Sequence, residues 1–279
     1  MVALLCRAMK LRKRLLRLLS LKKPKRTRAY LRDGLLLCKT DCHGVTLEYP
    51  PDDWMFKHIP FGHDYEPHAL PVFLGLLTPD DVVVDVGANI GFYAVPAAKR
   101  AKRVICVEPG QDNVRLLVRN LHANGAFNFE VYPVAASDAV RAEWLEDHVH
   151  RNKAVRPAKT PNCLPVMALP LDLMLRNEHP TFIKFDIEGR EPAALMGARE
   201  TIRKHRPRIS IEFSPAYYAD GCGGQFPCAA TQLLDAGYRP TVMRWDKTLQ
   251  EAATHEAIDS IFAEAKEAGQ THLDIIFQP

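Results

Sequence analysis

The stretch that decides the fold is residues 82–94, VVVDVGANIGFYA. Its β-branched start, Val82 to Val86 with Asp85 inside it, is a short apolar run of the length of a buried strand. Gly87 and Gly91 follow four positions apart, and Phe92 and Tyr93 open the next segment. The pattern is a strand turning sharply into a helix around a ligand. A dinucleotide fold wants G-x-G-x-x-G, so that a pyrophosphate can approach the helix N-terminus. Here Asn89 and Phe92 hold the middle and last of those positions, and Asp85 would repel a pyrophosphate. A cationic cofactor without phosphate suits the loop better. S-adenosylmethionine, with its sulfonium and its ammonium-bearing tail, is such a molecule, and the two glycines would let the backbone come close to it.

Outward from this loop, strands and helices alternate. Strands are expected at 81–86, 103–107, 129–134, 182–187, 208–213, 238–244 and 272–277, the last one running antiparallel. Helices are expected near 92–101, 111–123, 190–204 and 228–236, with a helical excursion over about 247–270. Strands apolar on both faces and separated by helices predict a mostly parallel sheet covered on both sides. Pro96 is tolerable if the first helix starts near Phe92. Residues 31–75 carry many prolines and read as irregular. The stretch 139–170 fits no element and reads as an excursion over the sheet, of the kind that forms lids.

In an open α/β sheet, ligands bind outside the carboxyl ends of the strands. The sequence places Asp85 to Gly91, Glu108, Ser137 with Asp138, Asp186 with Glu188, and Glu212 at five successive ends. Any one of them could instead cap a helix, Asp138 and Glu188 above all. Glu108 lies 23 residues after Asp85, where an acid can hold ribose hydroxyls in either NAD or S-adenosylmethionine.

Three motifs in order, VVVDVGANIGFYAVPAAK, VICVEPGQDNVRLLVRNLHANG and IKFDIEGREPAALMGARETIRKHRPRISIEF, resemble those of the FkbM-type methyltransferases. The likeness spans about 65–215. It implies a Rossmann-like class I methyltransferase fold, α/β, with a seven-stranded, mostly parallel sheet and helices on both faces. It implies S-adenosylmethionine as cofactor, held by Asp85, Gly87, Asn89 and Gly91, with Glu108 on the ribose and Ser137 and Asp138 near the adenine. DYEPH resembles the family's Tyr-Glu segment, so Tyr65 and Glu66 would close over the cofactor. Three parts follow: residues 1–30 as a basic helix and linker, 31–75 as a lead-in, and 76–279 as the methyltransferase domain.

Methyl transfer depends on holding an acceptor oxygen in line with the methyl group, and an alcohol must also give up a proton. Asp186 and Glu188, two apart and pointing one way, are the candidates, Asp186 first and Glu188 second, with Glu212 third. Two carboxylates could also hold a divalent metal, but no further ligand stands at a convincing spacing and no metal is assigned. His63 and His68 read as loop residues. The expected reaction is O-methylation of a sugar, glycan or natural-product hydroxyl. The alternatives are an NAD-dependent oxidoreductase, disfavoured by the missing glycines, and a non-catalytic binding protein at a membrane.

Residues 1–32 hold twelve Lys and Arg and no acid, whereas the remaining 247 residues hold 25 basic and 33 acidic. The fold itself therefore lacks the basic footprint of a nucleic-acid binder. On a helical wheel Leu4, Leu5, Ala8, Met9, Leu11, Leu15, Leu16, Leu18 and Leu19 fall opposite Arg7, Lys10, Lys13, Arg14 and Arg17, with Arg12 the one basic residue inside the apolar face. Such a helix can lie on an anionic membrane, can pack on the body, or can act as a targeting segment. KKPKRTR, 22–28, reads as a solvated linker. Seven scattered cysteines suggest reduced thiols in a cytoplasmic setting, with peripheral membrane contact through residues 1–28. Neither Cys38/Cys42 nor Cys222/Cys228 has metal-site spacing.

Overall fold

The computed structural model describes residues 27–32, 35–50, 65–146, 155–156, 163–214 and 232–279. The amphipathic stretch, His63 and the Cys222/Cys228 pair lie outside the described residues. The chain divides into two compact units, Met1–Tyr65 and Glu66–Pro279.

The first unit holds three antiparallel strands in the order β1 (Thr27–Arg32), β2 (Leu35–Cys42), β3 (Val45–Tyr49). His43 and Gly44, both at positive φ, make the two-residue turn that a right-twisted hairpin needs. Leu37, Val45, Leu47 and Tyr49 are buried. The irregular lead-in expected over 31–75 is thus corrected. Its prolines begin at Pro50, after the hairpin, and one window mixed the two. A helix, α1 (Ala69–Leu76), also lies within that range.

The second unit is built on an eight-stranded sheet. It contains β4 (Val82–Val86), β5 (Arg103–Val107), β6 (Phe129–Tyr132), β11 (Phe182–Phe185), β12 (Arg208–Phe213), β13 (Arg239–Met243), β14 (Leu249–Glu251) and β15 (Leu273–Gln278). The order across the sheet is β14-β13-β15-β12-β11-β4-β5-β6. From β12 to β6 every pairing is parallel, whereas β15 is antiparallel to both of its neighbours. Seven of these strands match the sequence reading. The eighth, β14, is a three-residue edge strand too short to carry a period.

Connections are made by α2 (Ala94–Ala98), α3 (Gln111–Ala123), α4 (Leu171–Met174), α5 (Glu191–Met196), α6 (Arg199–His205) and α7 (His255–Glu267). The helix read over 190–204 is broken at Gly197 and Ala198 into α5 and α6. Val84, Ile105, Phe185, Ile209, Ile211, Ile275 and Phe277 are almost wholly buried. Each such side chain stabilises the fold by roughly 1.5–3 kcal/mol.

Within the stretch 139–170, read as an excursion, most of the described residues instead belong to a second sheet. It contains β7 (Ala135–Ala136), β8 (Arg141–Glu146), β9 (Val155–Arg156) and β10 (Cys163–Leu169), in the order β7-β10-β8-β9. The alternation of β8 is masked because one of its inward positions holds a charge, Glu143, wholly buried beside Leu145. Pro165 and the exposed Leu164 and Met167 hide the period of β10.

Candidate active site

The parallel strands end in one row, and the antiparallel β15 brings its beginning, not its end, to the same row. Glu212 of β12 is paired in register with Asp274 of β15, and Asp274 with Met243 of β13.

On the left of the row is the glycine loop. Asp85 is 1% exposed, and among the described residues no group meets either of its oxygens in good hydrogen-bond geometry, although the Ala94 amide is close enough to lower its pKa slightly. Burial raises its pKa to about 6, against the pull of Lys184. The loop backbone is left-handed at Gly87, Asn89 and Gly91. Gly87 and Ala88 donate to the Val107 carbonyl, and Gly91 to Ala88. A side chain on Gly87 would lie 1.9 Å from the Asp186 carbonyl oxygen, and one on Gly91 would lie 2.9 Å from Leu117 and Val95. Both glycines thus admit neighbouring protein groups, a role that spacing alone does not reveal.

Glu108, at the end of β5, fastens the loop. It accepts from the Asn89 amide at 3.0 Å, the Gly110 amide at 2.8 Å and the Asn113 side chain at 3.1 Å. Asn120 on α3 donates to the Ile90 carbonyl at 2.8 Å. Between the loop and the second sheet lies a narrow, mainly apolar crevice of about 20 Å³, lined by Gly87, Val107, Pro109, Val134, Ala136 and Ile187 among others and too small as it stands for a nucleobase. Ser137 and Asp138 border this region within a charge cluster. Ser137 donates to Glu143 at 2.9 Å, Arg141 pairs with Asp138 at 2.7 Å, and Arg190 holds both oxygens of Glu143 at 2.8 and 2.9 Å. Burial would raise the Asp138 pKa, but the hydrogen bond and charge of Arg141, with the Ser137 hydroxyl and the local backbone, together hold it below the ordinary value. The acids at the two strand ends, Asp85 and Glu108, thus flank a glycine loop whose backbone is held close to both.

To the right stands a denser set of charges. Asp186 follows β11, and its carboxylate takes the ammonium of Lys184 at 2.7 Å. Burial would raise its pKa, but Lys184 outweighs that and holds it below the ordinary value. Glu212 is pushed well above its ordinary value by burial and then by Asp186 and Asp274, and a side-chain hydrogen bond with Glu212 helps to lower the Asp186 pKa. Ser214 donates to Glu212 at 2.9 Å. The Lys184 ammonium lies 4.1 Å over the Tyr93 ring, and Tyr93 donates to Glu66. Burial, reinforced by Asp274, raises the Glu66 pKa to about 7. Tyr65 ends the first unit and Glu66 opens the second.

Glu188 sits in the turn after Asp186 at φ 55. The α5 N-cap is Arg190, with no side-chain cap. Glu191 instead accepts from the Ile187 amide at 2.8 Å, and burial raises its pKa to about 7. Among the described residues, no three His, Cys, Asp or Glu side chains could hold a metal ion.

The sequence reading missed part of this set. His68, read as a loop residue, precedes α1, is buried, and meets Asp274 at 2.8 Å. His272 lies 3.8 Å from both Glu212 and Asp274. Trp245 stacks on His68 with centroids 4.6 Å apart. One signal was available: Lys184 is a charge inside FIKF, an otherwise apolar strand. The others depend on β15 running backwards beside β12, which no local pattern announces.

The methyltransferase FkbM domain matches residues 85–270. Among curated proteins, the 23S rRNA (uracil(1939)-C(5))-methyltransferase RlmD of Alcanivorax borkumensis is 27% identical over 117 residues, 42% of this chain and 26% of that protein. The AMB antimetabolite synthetase AmbE of Pseudomonas aeruginosa is 44% identical over 70 residues, 24% of this chain and 3% of that protein. The chain thus spans about a quarter or less of these relatives. Among solved structures, an FkbM methyltransferase from Methylobacillus flagellatus is 23% identical with a TM-score of 0.47, over 73% of this chain and 45% of that one.

Proposed function

The chain belongs to the FkbM methyltransferase family, and we propose that the protein transfers a methyl group from S-adenosylmethionine to a hydroxyl oxygen. Its second unit has the Rossmann-like class I methyltransferase fold, and S-adenosylmethionine is the cofactor. The acceptor we propose is a sugar, glycan or natural product, because the far side of the strand row is lined with hydrogen-bonding carboxyl groups. The observation that carries the reading is Asp85, buried beside the glycine loop with neither oxygen met in good hydrogen-bond geometry among the described residues.

Asp85 would take the ammonium of the cofactor, Asn89 and the loop its flank, Glu108 the ribose and the Ala136 crevice, once widened, the base. Bound there, S-adenosylmethionine supplies an electrophilic methyl group. The residues of the chain position the acceptor and receive its proton. Lys184 fixes Asp186 in its ionised form, aimed to accept a hydrogen bond from the acceptor hydroxyl. The hydroxyl oxygen becomes strongly acidic only as its new bond forms, so a carboxylate that is a weak base suffices for the late proton transfer. The hydrogen bond between Glu212 and Asp186, with Glu212 inclined to hold its proton, keeps the pair from carrying two charges. Glu188, in the same turn, is the alternate anchor.

Among the described residues, no helix is long and apolar enough to cross a membrane. The cytoplasmic, peripheral placement on an anionic surface through residues 1–28 rests on the basic, leucine-bearing sequence there. Calorimetric titration tests the central reading, with S-adenosylmethionine and NAD titrated separately into wild type and Asp85→Ala. Micromolar S-adenosylmethionine binding lost in the variant supports it. NAD binding, or binding of neither ligand, sinks it.

A further inference from the structure

We propose that the acceptor is a neutral polyhydroxylated ring, a sugar unit, seated against Trp245 with its hydroxyls on Glu212 and Asp274. This rests on the O-methyltransferase reading and narrows its substrate class.

Trp245 follows β13 and is 41% exposed, an indole open to solvent beside a row of buried acids. An exposed large apolar group in such a place is the informative exception to ordinary burial. The indole is also held firmly. His68 stacks on it at an interplanar angle of 24°, and His68 is itself pinned by the buried Asp274. His272 reaches the ring at 5.5 Å and is tilted 59° to it. Its imidazole stands between Glu212 and Asp274 and is 20% exposed. An aromatic surface therefore borders hydrogen-bonding groups along one edge. A pyranose has the matching form, a C–H face that stacks on an aromatic ring and an equatorial rim of hydroxyls.

Charge decides between a sugar and the other ligands an aromatic–acid site could take. A cationic acceptor would be drawn by cation–π attraction and ionised acids. Here Lys184 already neutralises Asp186, and burial keeps Glu212 and Glu66 inclined to hold their protons. Neutral carboxyls both donate and accept, as hydroxyls do. An anionic acceptor would meet a row of carboxyl groups whose neighbouring ammonium, Lys184, is already taken up by Asp186. A neutral polyol is the class left.

The test uses the full chain saturated with S-adenosylhomocysteine. The probes are methyl glycosides of glucose, galactose, mannose and rhamnose, read by saturation-transfer NMR and Trp fluorescence. Trp245→Phe keeps a stacking face, whereas Trp245→Leu keeps apolar bulk without one. We expect at least one glycoside to bind, with transfer concentrated on the C–H protons of one ring face. Its affinity should fall tenfold or more in the Leu variant and stay within threefold in the Phe variant, with S-adenosylhomocysteine binding unchanged in both. Glycoside binding that is absent while S-adenosylhomocysteine binds, or equal in wild type and the Leu variant, overturns the sugar platform and leaves the methyltransferase reading standing. Failure of the wild type to bind S-adenosylhomocysteine overturns both.

Discussion

Replacing Asp85 by Asn should strengthen the fold and weaken the cofactor site at once. Burial raises the Asp85 carboxyl from 3.8 to about 6, so the folded state holds this proton more tightly than the unfolded chain. Stability is therefore lost as pH rises between those two values. At about 1.4 kcal/mol per pKa unit, the ionised group costs the fold roughly 3 kcal/mol above pH 7. About half of that cost develops between pH 5 and pH 8. Asn cannot ionise and escapes it. The stability difference between Asp85→Asn and wild type should widen by about 1.4 kcal/mol across this interval, or roughly 3–6 °C in Tm. Glu66 and Glu191 titrate in the same range, but they do so in both proteins and cancel in the difference. Affinity moves the other way. An ionised Asp85 can make a charge-assisted bond to an ammonium, worth about 1.5–3 kcal/mol. Wild-type affinity for S-adenosylmethionine should rise through pH 6, and the Asn variant should be about 10–150-fold weaker at pH 8. Melting curves and calorimetry at pH 5, 6, 7 and 8 measure both effects. A stability difference that does not change with pH, or an Asn variant that binds like wild type, refutes the assignment.

Gly87→Ala places a methyl group 1.9 Å from the Asp186 carbonyl at a φ of +88°. It should cost about 2–5 kcal/mol, whereas Gly125→Ala, at φ +74° in open space, should cost only about 1–2 kcal/mol; equal melting temperatures for the two would refute the contact. Glu143→Ala removes a wholly buried carboxylate that Ser137, Arg141 and Arg190 share and should lose about 3–5 kcal/mol in urea unfolding. A loss below about 1 kcal/mol would mean that the cluster relaxes freely. Deleting residues 1–26, which stops short of β1, should abolish flotation with anionic liposomes and leave S-adenosylmethionine affinity unchanged; persistent flotation would place the membrane contact elsewhere.

The part of the candidate site that we propose for the cofactor was legible because its signals are local. Asp85, Gly87, Asn89, Gly91 and Glu108 lie within 24 residues, and a strand, a turn and the next strand end fix their relative places. Asp186 and Glu212 were readable for the same reason, as the last polar residues of apolar runs. The part proposed for the acceptor was not. His68, Trp245, His272 and Asp274 come from separate segments, and only pairing across β12, β15 and β13 assembles them. The small sheets escaped for another reason. The hairpin of the first unit adjoins a proline-rich stretch, and β8 turns Glu143 inward, where periodicity expects an apolar residue.

The placement of β15 has a consequence for how the molecule comes into being. β12 and β13 touch in the sheet only through β15, which leaves the ribosome after both. A growing chain can assemble the glycine loop and its strands early, but β13, β14 and the groups around Trp245 must wait for a segment made some sixty residues later than β12. Until then two strand edges stand open, the kind of surface on which incomplete chains pair with one another. Expression at low temperature or slow translation should therefore bear on yield through this one late strand.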